Sequence, residues 1–241
     1  MLKLSLLLGA VAAMADIAGG LVLVRAENVQ RYLRYFVALG AGFLMATSVL
    51  EMLPESIKLD FKLAPVLVMA GYCAVHFLEH TINAHFHFGK ETHHGEFVSK
   101  HTSYSVLAGL AVHALFDGVA IGSGFEISRV LGMLIFLAIF LHKVPEGFTM
   151  ASVMLASGRS RKTALYSAIA LAGATLVGVL VIELLPGLVR FGLPISAGVA
   201  LYVAATDLVP EVNREPGIRM ALVFFAGVAG FLLLRLAMPS L

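Results

Sequence analysis

The chain contains no tryptophan and a single cysteine, Cys73, which excludes an internal disulfide framework. Without tryptophan, anchoring at a membrane surface would fall to tyrosines such as Tyr32, Tyr35, Tyr104 and Tyr166. Charge is scarce as well. Asp, Glu, Lys and Arg make up 13% of the 241 residues and the formal net charge is +2, too small a bias to suggest a nucleic-acid partner. No G-x-x-x-x-G-K-[ST] segment occurs, so nothing points to a nucleotide-driven motor. Long polar stretches are missing apart from residues 84 to 103, and no soluble second domain is visible.

What fills the chain instead is hydrocarbon: 59% of the residues are hydrophobic and the mean hydropathy is +0.92, which excludes a soluble domain. The apolar residues fall in blocks of the roughly 20 residues that a helix needs to cross a bilayer. Spans are expected near residues 4 to 24, 33 to 53, 63 to 83, 104 to 124, 129 to 156, 163 to 185, 192 to 212 and 217 to 237. The runs are continuous and do not alternate, so they predict helices and not barrel strands. The fold class is therefore all-α, a polytopic membrane protein of eight helices forming one domain over residues 1 to 241. Lys3, an apolar run and Ala13-Met14-Ala15 before Asp16 resemble a cleavable leader, but the run continues to Val24 and reads better as a retained first span. Counting Lys and Arg outside the spans puts the richer side, with Arg25, Arg31, Arg34, Lys90, Lys100, Arg159, Arg161, Lys162, Arg214 and Arg219, in the cytoplasm. Both termini are then expected outside, in a cell membrane read as a bacterial inner membrane.

Two repeats are legible in the letters. Residues 41 to 55 (AGFLMATSVLEMLPE) align without gaps on 197 to 211 (AGVALYVAATDLVPE), at an offset of 156 that pairs Glu51 with Asp207. The copies lie in spans two and seven and so cross in opposite directions. His113-Ala-Leu-Phe-Asp117-Gly118 in span four is matched by His142-Lys-Val-Pro-Glu146-Gly147 in span five, at an offset of 29. The pattern is three spans, a central pair and three spans in an inverted repeat, a plan common in secondary transporters with the site at the repeat interface.

In each central span a histidine and an acid four residues apart share one helix face. Two such faces meeting supply two nitrogens and at least two carboxylate oxygens, a set that suits Zn²⁺ and also serves Fe²⁺, Mn²⁺ or Cd²⁺. An ionisable residue at mid-bilayer costs on the order of 3 kcal/mol unless paired, and a dication would balance Asp117 and Glu146. Pro145 interrupts the ladder of span five while Gly118 and Gly147 permit close helix approach. The plain alternative is that the histidines are hydrogen-bonded core residues and Lys143 pairs with Asp117 or Glu146 as a structural salt bridge. Recurrence of the motif with the same spacing favours metal.

At these residues the sequence resembles the ZIP metal-transporter family, whose fourth and fifth helices carry H-N-x-x-[DE]-G and H-[DE]-x-P-E-G. The resemblance covers nearly the whole chain, including the A-G…[HED]-x-x-P-E segments of spans two and seven. It implies an eight-helix inverted-repeat fold, with His113, Asp117, His142 and Glu146 as ligands of a central transport site. Where the family often has Asn and an acid that build a second metal position, this chain has Ala114 and Lys143. The expectation is a one-metal site in which the Lys143 ammonium replaces the second ion, so that Lys143→Asp would raise the metal count seen by anomalous scattering. Glu51 stands where many members have histidine. Glu51 and Asp207 read equally as metal-path residues or as helix-end pairing before Pro54 and Pro210, and Met45 reads as a weak thioether contact or as packing.

Residues 76 to 101 hold His76, His80, His85, His87, His93, His94 and His101, read either as a cytoplasmic metal-collecting loop or as a solvated linker. His76-Phe-Leu-Glu79-His80 spells the H-x-x-E-H of a zinc-protease class, although it closes an apolar span and no second protease signature follows. The expected function is movement of a divalent transition metal, zinc first, toward the cytoplasm by alternating access, with zinc as cargo and no prosthetic group. Metal ions and the lipid bilayer are the expected partners, with a homodimer left open. A zinc-dependent membrane hydrolase is the rival reading, and a receptor or channel with a structural metal ranks below it.

Overall fold

A computed structural model describes residues 2–25, 30–82, 100–214 and 217–238, and every element among them is helical. Helix α1 is Leu2–Arg25. Helix α2 runs Gln30–Thr47, passes through a π-helical turn at Ser48–Met52 and ends as Leu53–Leu59. Helix α3 is Ala64–Ile82, α4 is Lys100–Ile127, α5 is Arg129–Ala156 and α6 is Arg161–Leu184. Helix α7 runs Val189–Tyr202, through a π turn at Val203–Leu208, into Val209–Arg214, and α8 is Ile218–Ala237.

All of these except α3 are long and apolar enough to cross a membrane. The last turns of α3 carry His76, Glu79 and His80, a polar end that separates it from the other seven. Helix α4 begins at Lys100 and not at 104, so the polar stretch closes earlier than expected. His85, His87, His93 and His94 lie outside the described residues.

The two π turns fall at matching places in the longer repeat. Pro54 and Pro210 lack the N–H that would continue the ladder, and the chain shifts register just before them. The N–H of Leu53 reaches back to the Ser48 carbonyl and that of Val209 to the Ala204 carbonyl, pairs again 156 residues apart.

Packing sorts the helices into two groups of four. In one, α1 packs on α5 and α6, α4 on α5 and α6, and α5 on α6; in the other, α2 packs on α8 and α3 on α7. Contacts of α2 with α5 and of α7 with α4 join the groups. Exchanging α1 with α6, α2 with α7, α3 with α8 and α4 with α5 maps these pairings onto one another, with α5 on α6 answered by a lighter contact of α1 with α4. Small residues set how closely each pair approaches. At Gly19 and Gly147 (α1 with α5), Gly118 and Gly178 (α4 with α6), Gly42 and Gly227 (α2 with α8) and Gly71 and Gly198 (α3 with α7), an added Cβ would stand 1.9 to 2.2 Å from a partner carbonyl oxygen. Across the boundary between groups the approach is ordinary: a Cβ at Gly40 would meet Leu141 at 3.4 Å.

The outward faces suit a lipid environment. Leu7, Phe61, Phe77, Phe225, Leu233 and Leu236 are exposed, as are Tyr32, Tyr104 and Tyr166. The Arg159 guanidinium lies 4.5 Å from the Tyr104 ring centroid, an arrangement that holds a cation and an aromatic ring together.

Candidate metal site

Ser128 sets the geometry of the central pair. It alone separates α4 from α5, its backbone is extended, and its hydroxyl accepts the N–H of Leu131 at 3.1 Å to cap α5. His113 and His142 sit 15 and 14 residues from this joint, which at 1.5 Å per residue places both roughly 20 Å along the hairpin. The twin motifs therefore come level with each other.

His113, Asp117, His142 and Glu146 are all buried, and one ligand atom from each lies within 4.8 Å of the others. His113 Nε2 is 3.2 Å from Asp117 Oδ2 and 3.9 Å from Glu146 Oε2, while His142 Nε2 is 3.3 Å from the same Asp117 oxygen. His142 Nδ1–H donates to the Ala138 carbonyl at 2.9 Å, which fixes the ring and turns Nε2 toward Asp117. Both ring nitrogens of His113 and Oε1 of Glu146 are buried without a hydrogen-bond partner. Ring nitrogens and carboxylate oxygens thus converge on one point. Such a set would suit a cation of borderline softness at the point where they meet.

Lys143 supplies one positive charge beside this point. Its ammonium donates to Glu146 Oε2 at 2.7 Å and lies 2.9 Å from Asp117 Oδ2. A third acid stands 3.6 Å away: Asp16 of α1, fully buried like Lys143, with neither oxygen hydrogen-bonded. Asp16 escapes the sequence reading, which takes it only as a flank of a leader pattern. The signal was available, since a lone acid inside an apolar span needs a partner by the same cost that singles out Asp117 and Glu146.

A cavity of about 40 Å³ reaches the cluster and is lined by His113, His142 and Glu146 together with Glu79 of α3 and Asp207 of α7. The Tyr202 hydroxyl donates to Glu79 Oε2 at 2.7 Å, and Thr206 donates to the Tyr202 carbonyl at 2.7 Å. The other candidates stand apart. Glu51 forms an ion pair with Arg235 of α8, and Met45 packs against the apolar core. His76 and His80 are exposed and stack on each other with centroids 4.1 Å apart, and His80 Nδ1–H donates to the His76 carbonyl.

Comparison with known proteins points the same way. Zinc transporter SLC39A7 of Homo sapiens is 29% identical over 154 residues, covering 58% of this chain and 32% of that protein. Zinc transporter ZIP4 of Mus musculus is 32% identical over 133 residues, covering 54% and 20%. Zinc transporter ZIP9 of Micropogonias undulatus is 38% identical over 117 residues, covering 44% of this chain and 38% of the relative. The chain thus spans well under half the length of these relatives. A family model, ZIP Zinc transporter, matches residues 96–235, more than half of the sequence and both central helices. The chain belongs to the ZIP zinc transporter family.

Proposed function

We propose that the chain carries a divalent transition metal, zinc first and with Cd²⁺, Fe²⁺ and Mn²⁺ as chemically compatible cargo, across the bilayer by alternating access. His113, Asp117, His142 and Glu146 are the ligands of the moving ion. The observation that carries this reading is the convergence of those four buried side chains, from two antiparallel helices, on one point within 4.8 Å. Two imidazoles and two carboxylates match the cargo, and all-oxygen cations such as Ca²⁺ match less well. Membership of a transporter family favours movement over hydrolysis.

The helix groups supply the moving parts. α1, α4, α5 and α6 carry the ion as a body held together by its glycine contacts, and slide or rock against α2, α3, α7 and α8. The two halves, α1 to α3 and α6 to α8, act as inverted repeats around the central pair. Glu79 and Asp207, on the second group, hand the ion between cavity and site. The Lys and Arg distribution supports both termini lying outside a bacterial inner membrane, and net movement toward the cytoplasm follows the metal gradient. The test is uptake of radioactive zinc into proteoliposomes. The purified chain should load them and His113→Ala should not, while vesicles holding folded protein that stay as zinc-tight as empty ones would refute the reading.

A further inference from the structure

Lys143 and Asp16 are not needed as ligands in the transport reading, yet both are completely buried inside the carrying group of helices. The Lys143 ammonium holds Asp117 Oδ2 and Glu146 Oε2, the same two oxygens that face His113 Nε2. An entering dication must therefore land on atoms that another cation already occupies. Two cations on shared carboxylate oxygens repel strongly in a low-dielectric interior, so the ammonium has to find another anion. Asp16 is that anion. Its Oδ2 lies 3.6 Å from Lys143 Nζ, beyond hydrogen-bond distance, and neither of its oxygens has a hydrogen-bond partner. A buried carboxylate in that condition is expensive unless a cation can reach it.

We propose that Lys143 is a tethered counter-cation that changes partners as the cargo enters: its ammonium rests on Asp117 and Glu146 when no metal is bound and moves to Asp16 when a dication takes those two carboxylates. This rests on the transport-site reading and adds a residue and a step to it. The step needs only side-chain rotation, for which the lysine stem is long and flexible. The backbone is already in place. A Cβ on Gly147 would stand 1.9 Å from the Asp16 carbonyl oxygen, and one on Gly19 would stand 2.1 Å from the Val144 carbonyl oxygen. That contact keeps Asp16 beside Lys143 wherever the group of helices moves. The exchange gives the site an internal competitor. Metal binds by displacing the ammonium, and the returning ammonium helps expel the metal, which keeps affinity low enough for release. The emptied site also keeps one positive charge among its three carboxylates.

The test is equilibrium Zn²⁺ and Cd²⁺ binding to the purified full chain in detergent, with Asp16→Asn, Lys143→Met, the double variant and His113→Ala. Asp16→Asn should bind roughly tenfold more weakly because the ammonium has nowhere to go, and Lys143→Met roughly tenfold more tightly because the competitor is gone. The double variant should bind like Lys143→Met, since Asp16 acts through the lysine; a merely structural Asp16 would leave the loss in place. Asp16→Asn at wild-type affinity, or a double variant as weak as Asp16→Asn, overturns the exchange alone. His113→Ala at wild-type affinity overturns the metal site and the exchange together. A structure of the unaltered chain with Cd²⁺ bound tests the step without any variant that might fail to fold. Lys143 Nζ should then be hydrogen-bonded to Asp16 and clear of Glu146, and an ammonium still on Glu146 beside a bound ion overturns it.

Discussion

Asp117 Oδ2 stands 3.3 Å from His142 Nε2, while the other nitrogen of that ring is committed to the Ala138 carbonyl. A carbonyl only accepts, so Nδ1 carries a proton, and the ring in its neutral form would turn the lone pair of Nε2 toward the carboxylate. A cation bridging the two atoms would take that lone pair and a carboxylate oxygen together. His142→Ala should therefore weaken Zn²⁺ binding at least about a hundredfold, the upper end of what losing a mere supporting partner of a metal ligand costs. Titration of the purified protein with zinc reads this directly, and an unchanged affinity would count against His142 as a ligand.

Acid should release the cargo. Imidazole binds metal only when neutral, so protons compete with zinc at His113 and His142, and affinity falls as pH falls. Each imidazole that takes a proton costs up to about tenfold in affinity per pH unit, so the slope of log affinity against pH counts the histidines involved. Zinc binding measured from pH 7.5 downward should steepen toward a slope near two. A flat profile would mean that neither ring binds the ion.

Gly147 and Gly173 offer a paired test of helix contact. A Cβ at Gly147 would overlap the Asp16 carbonyl of α1, whereas one at Gly173, on an open face of α6, would meet nothing within 4 Å. Gly147→Ala should then cost roughly 1–3 kcal/mol of stability as overpacking forces α1 outward, and should weaken zinc binding by moving Asp16 from Lys143. Gly173→Ala should be neutral or stabilise by up to about 1 kcal/mol, the gain in helix propensity. Thermal unfolding of both variants in the same detergent decides between them.

The spans were legible because a hydrocarbon slab imposes a length that composition alone reveals. The twin His and acid motifs were legible because helical spacing turns four residues into one face. What stayed hidden depends on which helices meet. Glu51 could be seen as an acid near a helix end in need of a partner, but that partner, Arg235, comes from the last helix, and nothing in the letters joins them. Asp16 lies over a hundred residues before Lys143 and carries no motif, so only the packing of α1 on α5 shows that they belong together. Pro54 and Pro210 read in the sequence as marks of a helix end, whereas each helix runs on past its proline after a π turn. Tyr202 is likewise silent in the sequence, where it reads as one more apolar position of its span.

Glu79 and Asp207 separate a path from a binding site. Both line the cavity that holds His113 and Glu146, but they belong to α3 and α7, outside the group that carries the four ligands. If they pass the ion to that group, their charge matters for entry or exit more than for the affinity of the bound ion. Replacing both, as Glu79→Gln with Asp207→Asn, should slow zinc uptake into proteoliposomes by roughly tenfold or more, because a focused negative potential raises local cation concentration on that scale. Equilibrium zinc affinity of the same protein should change less than about threefold, since none of the four ligands is touched. Tyr202→Phe, which removes one hydrogen bond to Glu79, should show a milder form of the same split. Were affinity and uptake to fall together, Glu79 and Asp207 would be ligands themselves and the site would span both groups of helices; were neither to change, the ion would reach His113 by another route.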